Sequence, residues 1–107
     1  MTNPKKRCGA VKTQYHLIPS PALTGMANVF KLGADKYGAY NWRTDPVDIS
    51  TYYSAMMRHL IAYWEGEDID PESGESHMSH IAACANIIED SRKIGNLIDD
   101  RPNLKQR

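Results

Sequence analysis

Cysteine is scarce in this chain: there are two in 107 residues, Cys8 near the start and Cys84 inside a helical pattern, with no zinc-knuckle spacing. A disulfide framework is thereby excluded, and a reducing, cytoplasmic setting is expected. Long apolar runs are missing too. No membrane span is expected, and the basic N-terminus lacks the apolar core of a signal peptide. Net charge is also absent, since 13 basic residues balance 13 acidic ones. That balance argues against direct polynucleotide binding by bulk electrostatics. At 107 residues the chain makes one small domain, whose monomer would bury only a modest share of its surface, so a homo-oligomer is expected.

The balanced total hides an uneven distribution. Lys5, Lys6, Arg7, Lys12, Lys31, Lys36, Arg43 and Arg58 weight the first half towards positive charge, while acids gather between Glu65 and Asp100. The densest stretch runs from Arg58 to Asn86. There Glu65, Glu67, Asp68, Asp70, Glu72 and Glu75 fall within eleven residues, flanked by His59, His77 and His80. A polyanion or a metal ion would explain such crowding.

The patterning predicts an all-α fold: a small bundle of three main helices with an N-terminal arm, completed by oligomerisation. Residues 1–15 are polar and aperiodic and read as a basic flexible arm, residues 16–95 as the helical domain, and residues 96–107 as a polar tail that frays or meets another subunit. Ser20 before Pro21 suits an N-cap, and Leu23, Met26, Ala27, Phe30 and Ala34 mark one face of a helix that Gly38 stops near Tyr37. A loop, GAYNWRTDPVD, follows. Asp48 is placed to cap a second helix, Ile49 to about Glu65, whose stripe of Tyr53, Met57, Leu60, Ile61 and Trp64 predicts a central element buried by its own subunit and a partner. Gly66, Pro71 and Gly74 make EDIDPESG a turn. A third helix, His77 to about Arg92, carries Met78, Ile81, Ala82, Ala85 and Ile88 on its core face and His77, His80 and Cys84 on a neighbouring stripe.

Each chemical reading has a bland competitor. His16 fits an ordinary surface histidine. Asp68, Asp70 and Glu72 alternate as a calcium loop begins, but Pro71 intrudes and the glycine comes late. Glu67 and Asp70 with His77, His80 or both can bind a divalent ion, the carboxylates suiting Mg or Mn and imidazole shifting preference towards Mn or Zn. The competing reading is a solvated turn whose aspartates make only turn and cap hydrogen bonds, and spacing does not choose between the two. Cys84 as a further ligand competes with Cys84 as a small buried apolar group. A phosphoanhydride would suit the mixture. Lys36, Arg43 or Arg58 can stabilise charge on a leaving pyrophosphate, Tyr37 or Trp42 can stack on a base, and Asn41 or Asn86 can bond its edge. Trp42 serves equally well as a plug at the end of a helix pair.

Three blocks, KYGAYNWR (Lys36 to Arg43), RHLIAYWEGEDIDPESG (Arg58 to Gly74) and HMSHIAACAN (His77 to Asn86), closely resemble in order a small phage family of dATP/dGTP diphosphohydrolase N-terminal domains. YHLIPSPAL, Tyr15 to Leu23, looks like that family's opening, so the resemblance covers about Lys12 to Asp90. It implies hydrolysis of a purine deoxynucleoside triphosphate to monophosphate and pyrophosphate in the cytoplasm of a phage-infected bacterial cell. It also implies a mechanism like that of the all-alpha, MazG-like pyrophosphohydrolases, dimers or tetramers that hold Mg or Mn with an ExxE pair on one helix and an ExxD pair on the next. Glu67-Asp68-Ile69-Asp70 can serve as ExxD, but Arg58 and His59 stand where the paired glutamates are expected.

Glu67, Asp70 and His59 are therefore the candidate catalytic residues, and Glu67, Asp70, His77 and His80 the candidate metal ligands. Lys36, Tyr37, Asn41, Trp42, Arg43, Arg58 and Asn86 are the candidate nucleotide contacts. The missing glutamates keep a second expectation open, a non-catalytic sponge that sequesters a signalling nucleotide of host defence.

Overall fold

A computed structural model describes residues 3–102; the first two residues of the expected arm and the last five of the expected tail lie outside the described residues. The fold is all-α, as the periodicity predicts. Its elements are α1 (Pro4–Ala10), a 3₁₀ turn (Tyr15–Leu17), α2 (Ser20–Tyr37), the short α3 (Asn41–Thr44), α4 (Ile49–Trp64) and α5 (His77–Ile94). Among the described residues no helix is long and apolar enough to cross a membrane.

Helix boundaries follow local chemistry, with two exceptions. α5 opens on Ser76, whose hydroxyl accepts the Ser79 N–H at 3.0 Å. It closes on Gly95 at φ 81°, where the Gly95 and Asn96 N–H groups bond back to Arg92 and Ser91 carbonyls at 3.2 and 3.1 Å, a Schellman ending. The first exception is the start of α2. Ser20 is its first helical residue, Pro19 holds the cap position, and no side chain caps it.

The second is the start of α4, where the Asp48 carboxylate accepts from the Ser50 and Thr51 hydroxyls and not from backbone. The exposed N–H groups of that first turn are met from far along the chain. Ile49 N–H donates to the Ile98 carbonyl at 3.0 Å, and Ser50 N–H to Asp100 Oδ1 at 2.9 Å. The segment following α5, expected to fray or to meet another subunit, is thus docked through Ile98 and Asp100 as a cap on α4 of its own chain.

α5, not α4, is the central element: α2, α3 and α4 all pack on it. Its small residues allow this. An added Cβ at Gly25 of α2 would collide with the Ser79 hydroxyl of α5, so the two helices meet at the closest approach their side chains permit. α4 turns Tyr52, Ala55, Met56, His59 and Ala62 inward. Its strongest apolar stripe therefore points the other way: Trp64 is 87 % exposed, and Tyr53, Leu60 and Ile61 are exposed with it. Of the expected stripe Met57 is half-buried, while burial of Tyr53, Leu60, Ile61 and Trp64 within their own subunit is overturned. The only buried apolar residues among the described ones are Trp42 and Ala83. A lone chain has too little interior to bury so large a patch.

Candidate functional site

The turn between α4 and α5 folds tightly on itself. Asp70 N–H donates to the Glu75 carbonyl at 2.9 Å, Gly74 N–H to the Asp70 carbonyl at 2.8 Å, and His77 N–H to the Asp68 carbonyl at 3.0 Å. Gly74 takes φ 78°, a conformation a side chain would strain. The closure directs Asp70 towards the first turns of α5. There Asp70 Oδ1 accepts the Glu72 N–H at 3.1 Å, and Oδ2 lies 3.4 Å from His80 Nε2. The Ser73 hydroxyl sits between them, 3.2 Å from Asp70 Oδ2 and 2.7 Å from His80 Nε2.

α4 contributes His59, whose ring stacks on that of His80 with centroids 4.3 Å apart and planes 8° from parallel. His59 Nδ1 lies 2.9 Å from His77 Nδ1, and His77 Nε2 lies 2.7 Å from Glu67 Oε1. An ionised Glu67 can only accept, so a neutral His77 carries its proton on Nε2, and His77 Nδ1 then accepts from His59 Nδ1–H. His59 Nε2 is left as a lone pair. His77, 3 % exposed, is held firmly in this chain of bonds.

Burial, and then the neighbouring His80, pushes the His59 imidazole below its ordinary value. Burial also lowers His80, with Asp70 pulling the other way. Both rings are therefore uncharged at neutral pH. For Asp70, partial burial would raise the carboxyl, but the hydrogen bonds from the Glu72 N–H and the Ser73 hydroxyl prevail and hold it below the usual range.

His59, Asp70, Ser73, His77 and His80 line one side of a groove of about 640 Å³, and Val29, Leu32, Gly33, Lys36 and Tyr37 of α2 form the other. Arg58 and Glu72 stand at its edge. Lys36 and Arg58 have no ion-pair partner among the described residues, so two free cations face this compartment. A second compartment, of about 880 Å³, adjoins it and shares Val29, Gly33 and Tyr37. Five aromatic residues, Phe30, Tyr37, Tyr40, Trp42 and Tyr52, stand in its walls among small aliphatic ones, with Lys31, Asn41, Thr51, Asn86 and Asp90 as polar groups. Tyr40 adopts φ 56°, rare for a residue with a side chain, and so turns the chain into α3 beside the groove.

The expected site residues divide by position. His59, Asp70, His77 and His80 meet in the first compartment with Lys36, Arg58 and Tyr37. Glu67 stands behind His77, outside the groove lining, and reaches it through His77 alone. Asn41, Trp42 and Asn86 line the aromatic compartment, where Asn86 Nδ2 donates to the Ala82 carbonyl at 2.9 Å. Arg43 lines neither. Its guanidinium grips Asp90 with bonds of 2.8 and 2.7 Å, and the Trp42 indole N–H donates to the same carboxylate at 2.7 Å. Trp42, itself buried, packs on Phe30 at 5.6 Å. Arg43 and Trp42 thereby tie α3 to α5. The half-buried Cys84 stands outside the histidine cluster, its thiol pushed up by burial.

Sequence reasoning missed Ser73, Tyr40, Tyr52 and Asp90. Ser73 had a signal in its place within the turn. Tyr40 had one in the KYGAYNWR block, whereas Tyr52 and Asp90 are brought in from separate helices and had none.

A family model described as dATP/dGTP diphosphohydrolase, N-terminal, matches residues 2–101. No curated protein and no solved structure matches the chain.

Proposed function

The chain belongs to the dATP/dGTP diphosphohydrolase N-terminal family, and from that premise and the two-part groove we propose that it binds a purine deoxynucleoside triphosphate and hydrolyses it to monophosphate and pyrophosphate. The observation that carries this is the adjacency of the two compartments, which share Val29, Gly33 and Tyr37. One offers aromatic rings able to stack on a base, and its neighbour presents two unpaired cations and a histidine cluster. The groove's size suits a nucleotide.

In the reaction, water adds to the α-phosphorus and the bond from that phosphorus to the α–β bridging oxygen breaks. The water oxygen stays with the monophosphate, and the bridging oxygen leaves with pyrophosphate. Lys36 and Arg58 stabilise the charge that develops on the leaving group. The attacking water is assigned to the Asp70–His59 end of the groove, with Glu67 orienting His59 through His77. A divalent ion at this end would lower the pKa of that water and neutralise phosphate oxygens. The exposed α4 stripe is assigned to a second copy of the chain.

A binding-only role is the second reading. It is favoured by the single carboxylate in the convergent cluster, with Arg58 and His59 in place of a carboxylate pair on α4. Incubating the protein with dATP or dGTP and Mn²⁺, with products separated by anion exchange, decides between them. Monophosphate and pyrophosphate in equal amounts are expected, with Arg58→Ala raising KM. Intact nucleotide retained by the protein would replace hydrolysis with sequestration.

A further inference from the structure

We propose that His59, Asp70 and His80 form a three-ligand site for a first-row transition-metal ion, with Zn²⁺ or Co²⁺ strongly preferred over Mg²⁺. One ligand atom from each lies within 4.8 Å of the other two, on three different elements: α4, the turn and α5. Two nitrogens and one oxygen are a poor set for Mg²⁺, which demands oxygen and keeps much of its water. They suit the imidazole-binding metals, and three protein ligands leave positions open for water and a phosphate oxygen.

Glu67 and His77 are positioning residues here. The chain of bonds from Glu67 through His77 fixes the His59 tautomer and leaves Nε2 as its lone pair, the job a carboxylate performs behind a ligating histidine. Chelation by both rings of a stacked pair asks one to turn. The His80 ring can rotate about χ2, a soft torsion, exchanging its bond to the Ser73 hydroxyl for the metal.

The proposal rests on the hydrolase reading only for what the ion does. Its test uses no nucleotide, so the two can fail separately. The full-length protein is titrated with Co²⁺ and followed by visible absorption, then competed with Zn²⁺ and Mg²⁺. One equivalent per chain with d–d bands of a nitrogen–oxygen site is expected, displaced by Zn²⁺ and unaffected by Mg²⁺ at roughly 100-fold higher concentration. Asp70→Asn and His80→Asn should abolish the bands. Glu67→Gln should keep them and weaken binding about 10- to 100-fold. Circular dichroism on each variant separates loss of site from loss of fold. A folded wild-type chain that gives no d–d bands overturns the proposal, as does binding unchanged in folded Asp70→Asn and His80→Asn.

Discussion

The same substitution at two glycines of α2 is expected to act in opposite directions. Alanine inside a helix is worth about 0.5–1 kcal/mol over glycine, because the unfolded chain loses less freedom. At Gly33 an added Cβ meets nothing within 4 Å, so Gly33→Ala should gain that amount. At Gly25 the new Cβ would collide with the Ser79 hydroxyl, while Ser79 Cβ, at 3.5 Å, is an ordinary neighbour. Forcing a methyl into a tight contact costs about 1–3 kcal/mol. Subtracting the helix gain leaves Gly25→Ala destabilised by roughly 0–2 kcal/mol, and the two variants differ by roughly 1–3 kcal/mol. In a domain of this size that separates their melting midpoints by about 4 °C or more.

The assay is thermal unfolding by circular dichroism at one fixed protein concentration, since association shifts Tm. Adding Ser79→Ala to Gly25→Ala deletes the colliding oxygen and should recover most of the loss. Ser79→Ala alone costs only the hydrogen bond from the Ser76 hydroxyl, 2.9 Å long and worth about 1 kcal/mol. If Gly25→Ala and Gly33→Ala stabilise alike, α2 and α5 do not meet as described. Because Gly33 floors both compartments of the groove, Gly33→Ala should also weaken nucleotide binding while raising Tm.

Asp90, held at about 2, first by the Arg43 hydrogen bond and then by the Trp42 indole, supplies a pH signature. A carboxyl held below its unfolded value of about 3.9 stabilises the fold above that pH and ceases to as pH falls towards 2. Asp90→Asn should therefore melt lower than wild type at pH 7, with the gap closing between about pH 4 and 2; a gap independent of pH would show that the carboxylate is not the anchor. On the surface, Trp64→Asp should leave helix content intact and shift the mass measured by light scattering from oligomer to monomer. Unchanged mass would remove the α4 stripe from the subunit contact.

Reading the chain alone recovers what is decided within a few residues. The 3.6-residue period sets the three long helices, and the glycines and proline of EDIDPESG make the turn that closes Asp70 onto His80. These contacts are short in sequence, so residue spacing encodes them directly. The grouping of Asp70 with His77 and His80 was legible for that reason.

What only the tertiary structure decides is which faces meet. Period places Tyr53, Leu60, Ile61 and Trp64 on one stripe, but not whether that stripe turns inward. The close seat of Gly25 on Ser79, the capping of α4 by Ile98 and Asp100, and the capture of Arg43 by Asp90 each join residues far apart in the chain. So does the arrival of His59 beside His80. A helix period gives each side chain an azimuth about its own axis. The rotation of one helix against another is set by volume and by polar partners on the neighbour, and that rotation decides which cations stay free for a ligand and which are spent on the fold.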